Sequence, residues 1–500
     1  MNIIKRYFAI FAALAATAAS VQAEDLVILH TNDTHSQIDP LDGGKGGIMR
    51  RKALIDSVRA VQPNVLLVDA GDAVQGTLFF TLYGGEAEMK AMNVLGYDIC
   101  VLGNHDFDNG MEPLARNIGM SNSQWLTTNY GLSNSILDGK LKPYIIKEFD
   151  GVRVGFIGIN LEPRGMIAEG NYDGVEYLDP YKAANATAWA LKHNEKVDRV
   201  VAVTHIGYEL GERPSDIALA RQSEDIDVII GGHSHSTVVP DGKAEYVMNA
   251  LGNPVLVVQT GSRGVNIGEV TIDLDNPASP ATEKLIPVDG RLDGYYDAGL
   301  AETLKPYRAS VDSIMGLKVA TSAVVLDSQR LQNLIADQVK QLGDNLAGGE
   351  KVDLAIINKG GIRRELPKGT ITEGMIITTL PFNNHAEVLE IKGRDLMEAF
   401  DVMASRGGDA VSREVQAVFD PETGHCVSIT IGGSPIDPER TYRVATIDYL
   451  AHGGDYMFPL TKGTVVAASE NILYKDILNL LKSNKRKLKP SDSPRMTPVS

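Results

Sequence analysis

Cysteine is nearly absent from this 500-residue chain, with only Cys100 and Cys426 present. Two cysteines so far apart make no disulfide framework, and a cysteine-rich zinc cage is impossible. Cys100 lies inside an apolar strand pattern and reads as a buried free thiol. Positive charge is in deficit too, with 48 Lys and Arg against 64 Asp and Glu. The net charge of −16 argues against a nucleic-acid partner, because phosphate backbones demand positive patches. It leaves room for small phosphorylated ligands, since metals or a few Arg can invert a local field. The one basic cluster, Lys482 to Lys489, reads as the solvated end of a final helix. Internal repeats and low-complexity tracts are also missing, which leaves a structural or adhesive role without support.

Past the first residues, no run approaches the ~20 apolar residues needed to span a bilayer. Those first residues differ: Lys5 and Arg6 precede an apolar stretch to Ala18, and "SVQA" follows to Ala23. This is the order of a cleavable secretory signal over residues 1–23. The expectation is an exported protein, periplasmic or extracellular, with no membrane insertion after cleavage. Its mature chain would begin near Glu24 and carry −18 once Lys5 and Arg6 leave.

A chain of this length exceeds one hydrophobic core, so two or more domains are expected. In the N-terminal half, seven runs rich in Val, Ile and Leu (26–33, 64–72, 98–106, 152–160, 199–207, 227–235 and 254–262) each give way to small or polar residues. Continuous apolar runs suit strands buried on both faces. Helical patterns intervene at 49–61 and 180–194, predicting a layered α/β domain over 24–296. An amphipathic linker helix is expected over 297–314, with Pro306 as a kink or boundary. A smaller C-terminal α/β domain over 315–500 follows, ending in a partly mobile tail.

In such folds ligands bind at the carboxyl ends of strands. There the sequence places Asp33 and His35, Asp72, Asn104, His205, and His233 with His235; His105 is available besides. Five of the ten His fall at these ends. Mixed carboxylate, imidazole and amide donors suit Zn, Mn, Fe or Co. Seven ligands exceed what one tetrahedral ion needs, whereas two divalent ions would use them for displacement at phosphate esters. Asp72 is the expected bridge, because its strand falls between the two ligand groups in sequence.

The motifs "LHTNDTHSQ", "DAGDAVQGT", "GNHDFDNG", "THIG" and "GGHSH", then "NKGGIRRELPKGTIT", "LPFNN" and "LAHGGDYMF", run in order across the chain. In these residues it resembles the two-domain 5′-nucleotidase and UDP-sugar hydrolase family of metallophosphoesterases. The resemblance implies one metal on Asp33, His35, Asp72 and His235, and a second on Asp72, Asn104, His205 and His233. It makes His105 the catalytic residue beside the phosphoryl group, oriented by Asp108, and assigns Asp106 nothing beyond a solvated turn. In the second domain it implies that Asn358 and Arg363 contact substrate, Phe382 and Tyr449 sandwich the base, and Asp455 accepts from ribose. It also implies a large rotation between the domains. Two departures stand out. Some relatives carry Gln at the place of His235, and an Arg expected before the helix near 331 is replaced by Val325, with Arg330 offset.

The implied activity is release of phosphate from nucleoside 5′-monophosphates, with UDP-sugars as further substrates. Alternatives on the same scaffold are 2′,3′-cyclic nucleotide phosphodiesterase chemistry, hydrolysis of sulfur-containing esters, or nucleotide binding without turnover.

Overall fold

The computed structural model describes residues 25–41, 43–238, 246–348, 350–484 and 486–499. The expected signal at 1–23 lies outside them. Two sheets build the N-terminal half. The first runs in the order Thr282–Pro287, Asn266–Ile272, Leu26–Thr31, Val65–Asp69, Ile99–Val101, Gln124–Leu126, the last four strands being parallel. The second runs Thr237–Val238, Pro254–Thr260, Val228–Ile230, Arg199–His205, Val152–Asn160, Tyr144–Phe149, with a parallel centre.

Side chains alternate across a strand, so each sheet needs two covers. Leu26, Ile28, Leu66 and Val68 of the first sheet share a core with Val201, Val203, Val228 and Ile230 of the second, so the sheets face each other. The other face of the first sheet, carrying Val27, Leu29 and Leu67, packs under helices that contribute Leu54, Ile55, Met89 and Leu95. Ala184, Ala188 and Leu191 of the helix Pro180–His193 cover Val200 and Ala202 of the second. Burial on both sides is why these runs are apolar throughout, each Val or Leu contributing about 1.5–3 kcal/mol.

The C-terminal half holds a mixed five-stranded sheet, in the order Ala410–Val411, Leu354–Ile357, Thr441–Ile447, His385–Lys392, Thr464–Ile472, and a smaller four-stranded one. The fold is the expected α/β pair of layered domains. Among the described residues no helix is long and apolar enough to cross a membrane.

Two expectations are corrected here. Pro306 neither ends nor bounds a helix, because Ala298–Met315 continues through it. Pro306 is exposed, so the carbonyl it leaves without an amide partner can meet water, while Leu300, Leu304, Tyr307 and Val311 anchor the opposite face. The C-terminal tail is no loose end either. Met496–Pro498 adds a parallel strand to Val415–Asp420, and buried Arg495 bonds Asp337 at 2.8 Å and the Val411 carbonyl at 2.7 Å.

Candidate active site

The carboxyl ends of the parallel strands in both sheets open on one side, and the loops leaving them meet. Five predicted ligands sit where a non-glycine backbone is uncommon: Asp33, His35, Asp72, His233 and His235 all have φ between 47° and 77°. Left-handed residues of this kind cluster at functional sites, where surrounding packing holds them. Glycine allows the closest approaches. A Cβ on Gly103 would lie 2.1 Å from Asp72 Oδ1, and one on Gly232 would lie 2.6 Å from the Ala70 carbonyl oxygen.

The predicted ligands converge. Asp33 Oδ1 lies 3.4 Å from His235 Nε2, 3.9 Å from His35 Nε2 and 4.0 Å from His205 Nε2. His35 and His235 bring their Nε2 atoms within 2.9 Å of each other. His205 donates from Nδ1 to the Ala70 carbonyl at 2.7 Å, which fixes its tautomer and turns Nε2 toward Asp72 Oδ2, 3.3 Å away. His233 Nδ1 meets Asn104 Oδ1 at 2.9 Å.

The donor set suits a divalent metal. Asp33, His35 and His235 form one group whose ligand atoms lie within 4.8 Å of one another; Asp33, Asp72 and His205 form another. Asp33 Oδ1 and His205 Nε2 are buried without a hydrogen-bond partner, as atoms reserved for an ion would be. Asp33 belongs to both groups and Asp72 to the second. The Asp72 oxygens are divided: Oδ1 accepts the His105 backbone N–H at 2.8 Å, and Oδ2 faces His205.

Electrostatics follow from this crowding. Burial opposes charge on His205, but Asp72 and then Asp33 outweigh it and raise its pKa to about 10. Burial, with the His205 charge next, pushes His233 down to about 3. The Asp72 carboxyl stays well below its ordinary range, because His205 and His105 overcome its burial.

His105 opens a short 3-10 turn, His105–Phe107, and its Nδ1 lies 3.0 Å from Asp108 Oδ2. Its pKa is raised, since Asp108 and Asp72 together exceed the effect of burial. Across the cleft, Arg363 Nη2 sits 3.1 Å from His105 Nε2 and stacks its guanidinium 5.4 Å from the Phe382 ring centroid. Asp455 accepts from Asn358 Nδ2 at 2.7 Å and from the Tyr449 hydroxyl at 2.9 Å. One cavity of about 630 Å³ is lined by Asp72, His105, Arg363, Phe382, Tyr449 and Asp455 together. Arg330 does not line it and is engaged instead by Asp327 and Asp492.

The chain matches the calcineurin-like phosphoesterase domain over residues 26–237 and the 5′-nucleotidase C-terminal domain over 310–463. A 5′-nucleotidase of Vibrio cholerae is 30% identical over 498 residues, covering 89% of this chain and 89% of that protein. The chain belongs to the 5′-nucleotidase family. The crystal structure of a 5′-nucleotidase precursor from Thermus thermophilus superposes with a TM-score of 0.85 at 30% identity, covering 95% of this chain and 99% of that one. The trifunctional nucleotide phosphoesterase protein YfkN of Bacillus subtilis is also 30% identical; the match covers 86% of this chain but only 32% of that longer protein.

Around this 5′-nucleotidase-family site stand residues that sequence reading missed. Asn32 is fully buried and clamps Asp33, donating to Oδ2 at 2.6 Å and to the Gly261 carbonyl at 2.8 Å. Arg263 donates its backbone N–H to the Asp33 carbonyl and its guanidinium to the Arg363 carbonyl, tying the two halves. Asp106 is a correction: it is buried rather than solvated, accepts the Gly103 N–H at 2.7 Å, and has its pKa raised by burial to about 8. It pins the turn that presents Asn104 and His105. Its only sequence signal was its place between two assigned residues and a glycine.

Proposed function

We propose that this protein is an exported phosphohydrolase that uses two divalent metal ions, Zn, Mn or similar, to release phosphate from nucleoside 5′-monophosphates. The observation that carries this reading is one cavity bordered by imidazole and carboxylate donors and, on the facing domain, by Arg363, Phe382, Tyr449 and Asp455. The ions would be held by Asp33, His35, Asp72 and His235 on one side and by Asp72, Asn104, His205 and His233 on the other. When bound, such ions would activate water and take up charge as the nucleoside oxygen is displaced from phosphorus.

The chain's own side chains supply the rest. Asp108 orients His105 and favours its cation, which stabilises charge developing on the phosphoryl oxygens. Arg363 offers a forked donor to the same anion. Phe382 and Tyr449 present flat faces to a base, and Asp455 presents acceptors to ribose hydroxyls. The export part of the proposal rests on the signal-like order of residues 1–23.

The test is phosphate release by metal-loaded protein from AMP, UMP, UDP-glucose and a 2′,3′-cyclic nucleotide. The expected result is fastest turnover of mononucleotides. Preferential cleavage of the cyclic substrate would transfer the proposal to phosphodiester chemistry, and inertness toward all four would overturn it.

A further inference from the structure

Three acids lining the cavity, Glu169, Glu387 and Asp448, serve neither the metal cluster, the His105 pair nor the ribose contacts. Glu387 lies five residues after Phe382, on the strand His385–Lys392. That strand is flanked on both sides and places Thr446 and Ala468 opposite Glu387. The residue is 8% exposed, and its Oε2 is buried without a hydrogen-bond partner. Its neighbours are satisfied by contrast. Glu390 on the same strand pairs with Arg443 at 2.8 Å, and the Asp448 carboxyl accepts the Tyr449 N–H at 2.7 Å. Among the described residues no Lys or Arg pairs with Glu387, and the titratable groups facing it are His452, Asp448 and His385, none of them a candidate metal ligand. Burying an acid without partners is costly, and such groups concentrate where a ligand completes them.

We propose that Glu387 reads the hydrogen-bonding edge of the substrate's base and favours guanine, whose ring N–H and exocyclic amino group present two parallel donors. The inference rests on the nucleotide reading above. An ionised carboxylate only accepts, and its two oxygens match two adjacent donors in a fork. Adenine sets one donor beside a ring acceptor, and hypoxanthine keeps the ring N–H but lacks the amino group. Burial raises the Glu387 carboxyl above its ordinary range, with Asp448 adding to this against His452. Two base donors would stabilise its charged form.

The test compares kcat/KM for GMP and IMP, which differ only in that amino group, in the metal-loaded wild type, Glu387→Gln and Glu387→Ala. A base read by a bidentate pair of hydrogen bonds is discriminated roughly 5- to 150-fold from one that cannot make both. The wild type should therefore prefer GMP by about tenfold or more, and both variants should bring the ratio near one. A wild-type ratio near one overturns the inference, even if neither variant folds, and so does a folded variant that keeps the wild-type ratio. Hydrolysis of p-nitrophenyl phosphate with no turnover of any mononucleotide would overturn the nucleotide reading itself, and this inference with it.

Discussion

Replacing Asp108 by Asn removes the charge behind His105 while keeping a side chain of the same shape. The His105 Nδ1 to Asp108 Oδ2 distance is 3.0 Å. Unit charges at that separation attract by about 1.4 kcal/mol in water and about 5.5 kcal/mol at an effective dielectric near 20. The two side chains are 16% and 24% exposed, so water screens part of the interaction. A working value of ~1.5–3 kcal/mol corresponds to one to two pKa units. In the wild type the His105 pKa is raised, so its cation persists above the ordinary imidazole range and is lost as pH rises through the raised value. Turnover that needs the cation should fall over that basic window. In Asp108→Asn the fall should begin one to two units lower, so the variant's deficit should grow between the two limbs and reach about 10- to 100-fold above the wild-type limb. The assay is the pH profile of kcat on AMP, with metal content measured in parallel. Metal content should not change, because Asp108 is not among the candidate ligands. An unshifted basic limb, or one displaced upward, would refute the assignment of Asp108 as the group that favours the His105 cation.

Two further substitutions probe the scaffold. Gly103→Ala would drive a Cβ to 2.1 Å from Asp72 Oδ1 and 2.4 Å from its backbone nitrogen, so Asp72 must move. Overpacking of this kind costs about 1–3 kcal/mol, and elemental analysis should find less bound metal than in wild type. Asp106→Asn keeps an acceptor for the Gly103 N–H but removes a titration. Because the folded pKa of about 8 lies above the unfolded value, the protonated acid contributes fully below about pH 4, and that contribution is lost as pH rises through about 8. Melting of metal-free protein should therefore show wild type losing stability relative to the variant between pH 4 and pH 8; parallel curves would contradict it.

What was legible in the sequence is what lies along one strand and its own loop. Val, Ile and Leu runs ending in Asp or His marked the strand ends, because unpaired polar groups are costly inside a segment buried on both faces and fall where it emerges. What was not legible depends on which ends meet. The hydrogen bond of His205 to Ala70 joins different sheets, and Arg263 reaches Arg363 from the other domain. Asp106 shows the limit at short range. Its turn sends Asn104 and His105 to the cavity and the very next side chain inward to the Gly103 amide, a division that composition does not encode. Arg495 read as part of a loose tail because Asp337, which holds it, is 158 residues away.

The contact between Arg363 and His105 bears on how the two halves work together. Arginine only donates, so His105 Nε2 accepts at 3.1 Å, which requires the neutral ring with its proton on Nδ1 toward Asp108. Yet Asp108 and Asp72 favour the cation, and the Arg363 charge works against it. Two cations side by side are stable only with an anion between them. A phosphoryl group entering there would replace one neutral hydrogen bond with charge-assisted bonds to both residues, which are roughly twice as strong. Further contacts cross this seam: Asn383 to Asn109 at 2.7 Å, the Tyr449 hydroxyl to the Met166 carbonyl at 3.3 Å, and the guanidinium groups of Arg164 and Arg213 over the rings of Phe458 and Tyr456. Each such hydrogen bond contributes about 0.5–1.5 kcal/mol. The conflict between Arg363 and the His105 cation is therefore one that an anion bound between them would resolve.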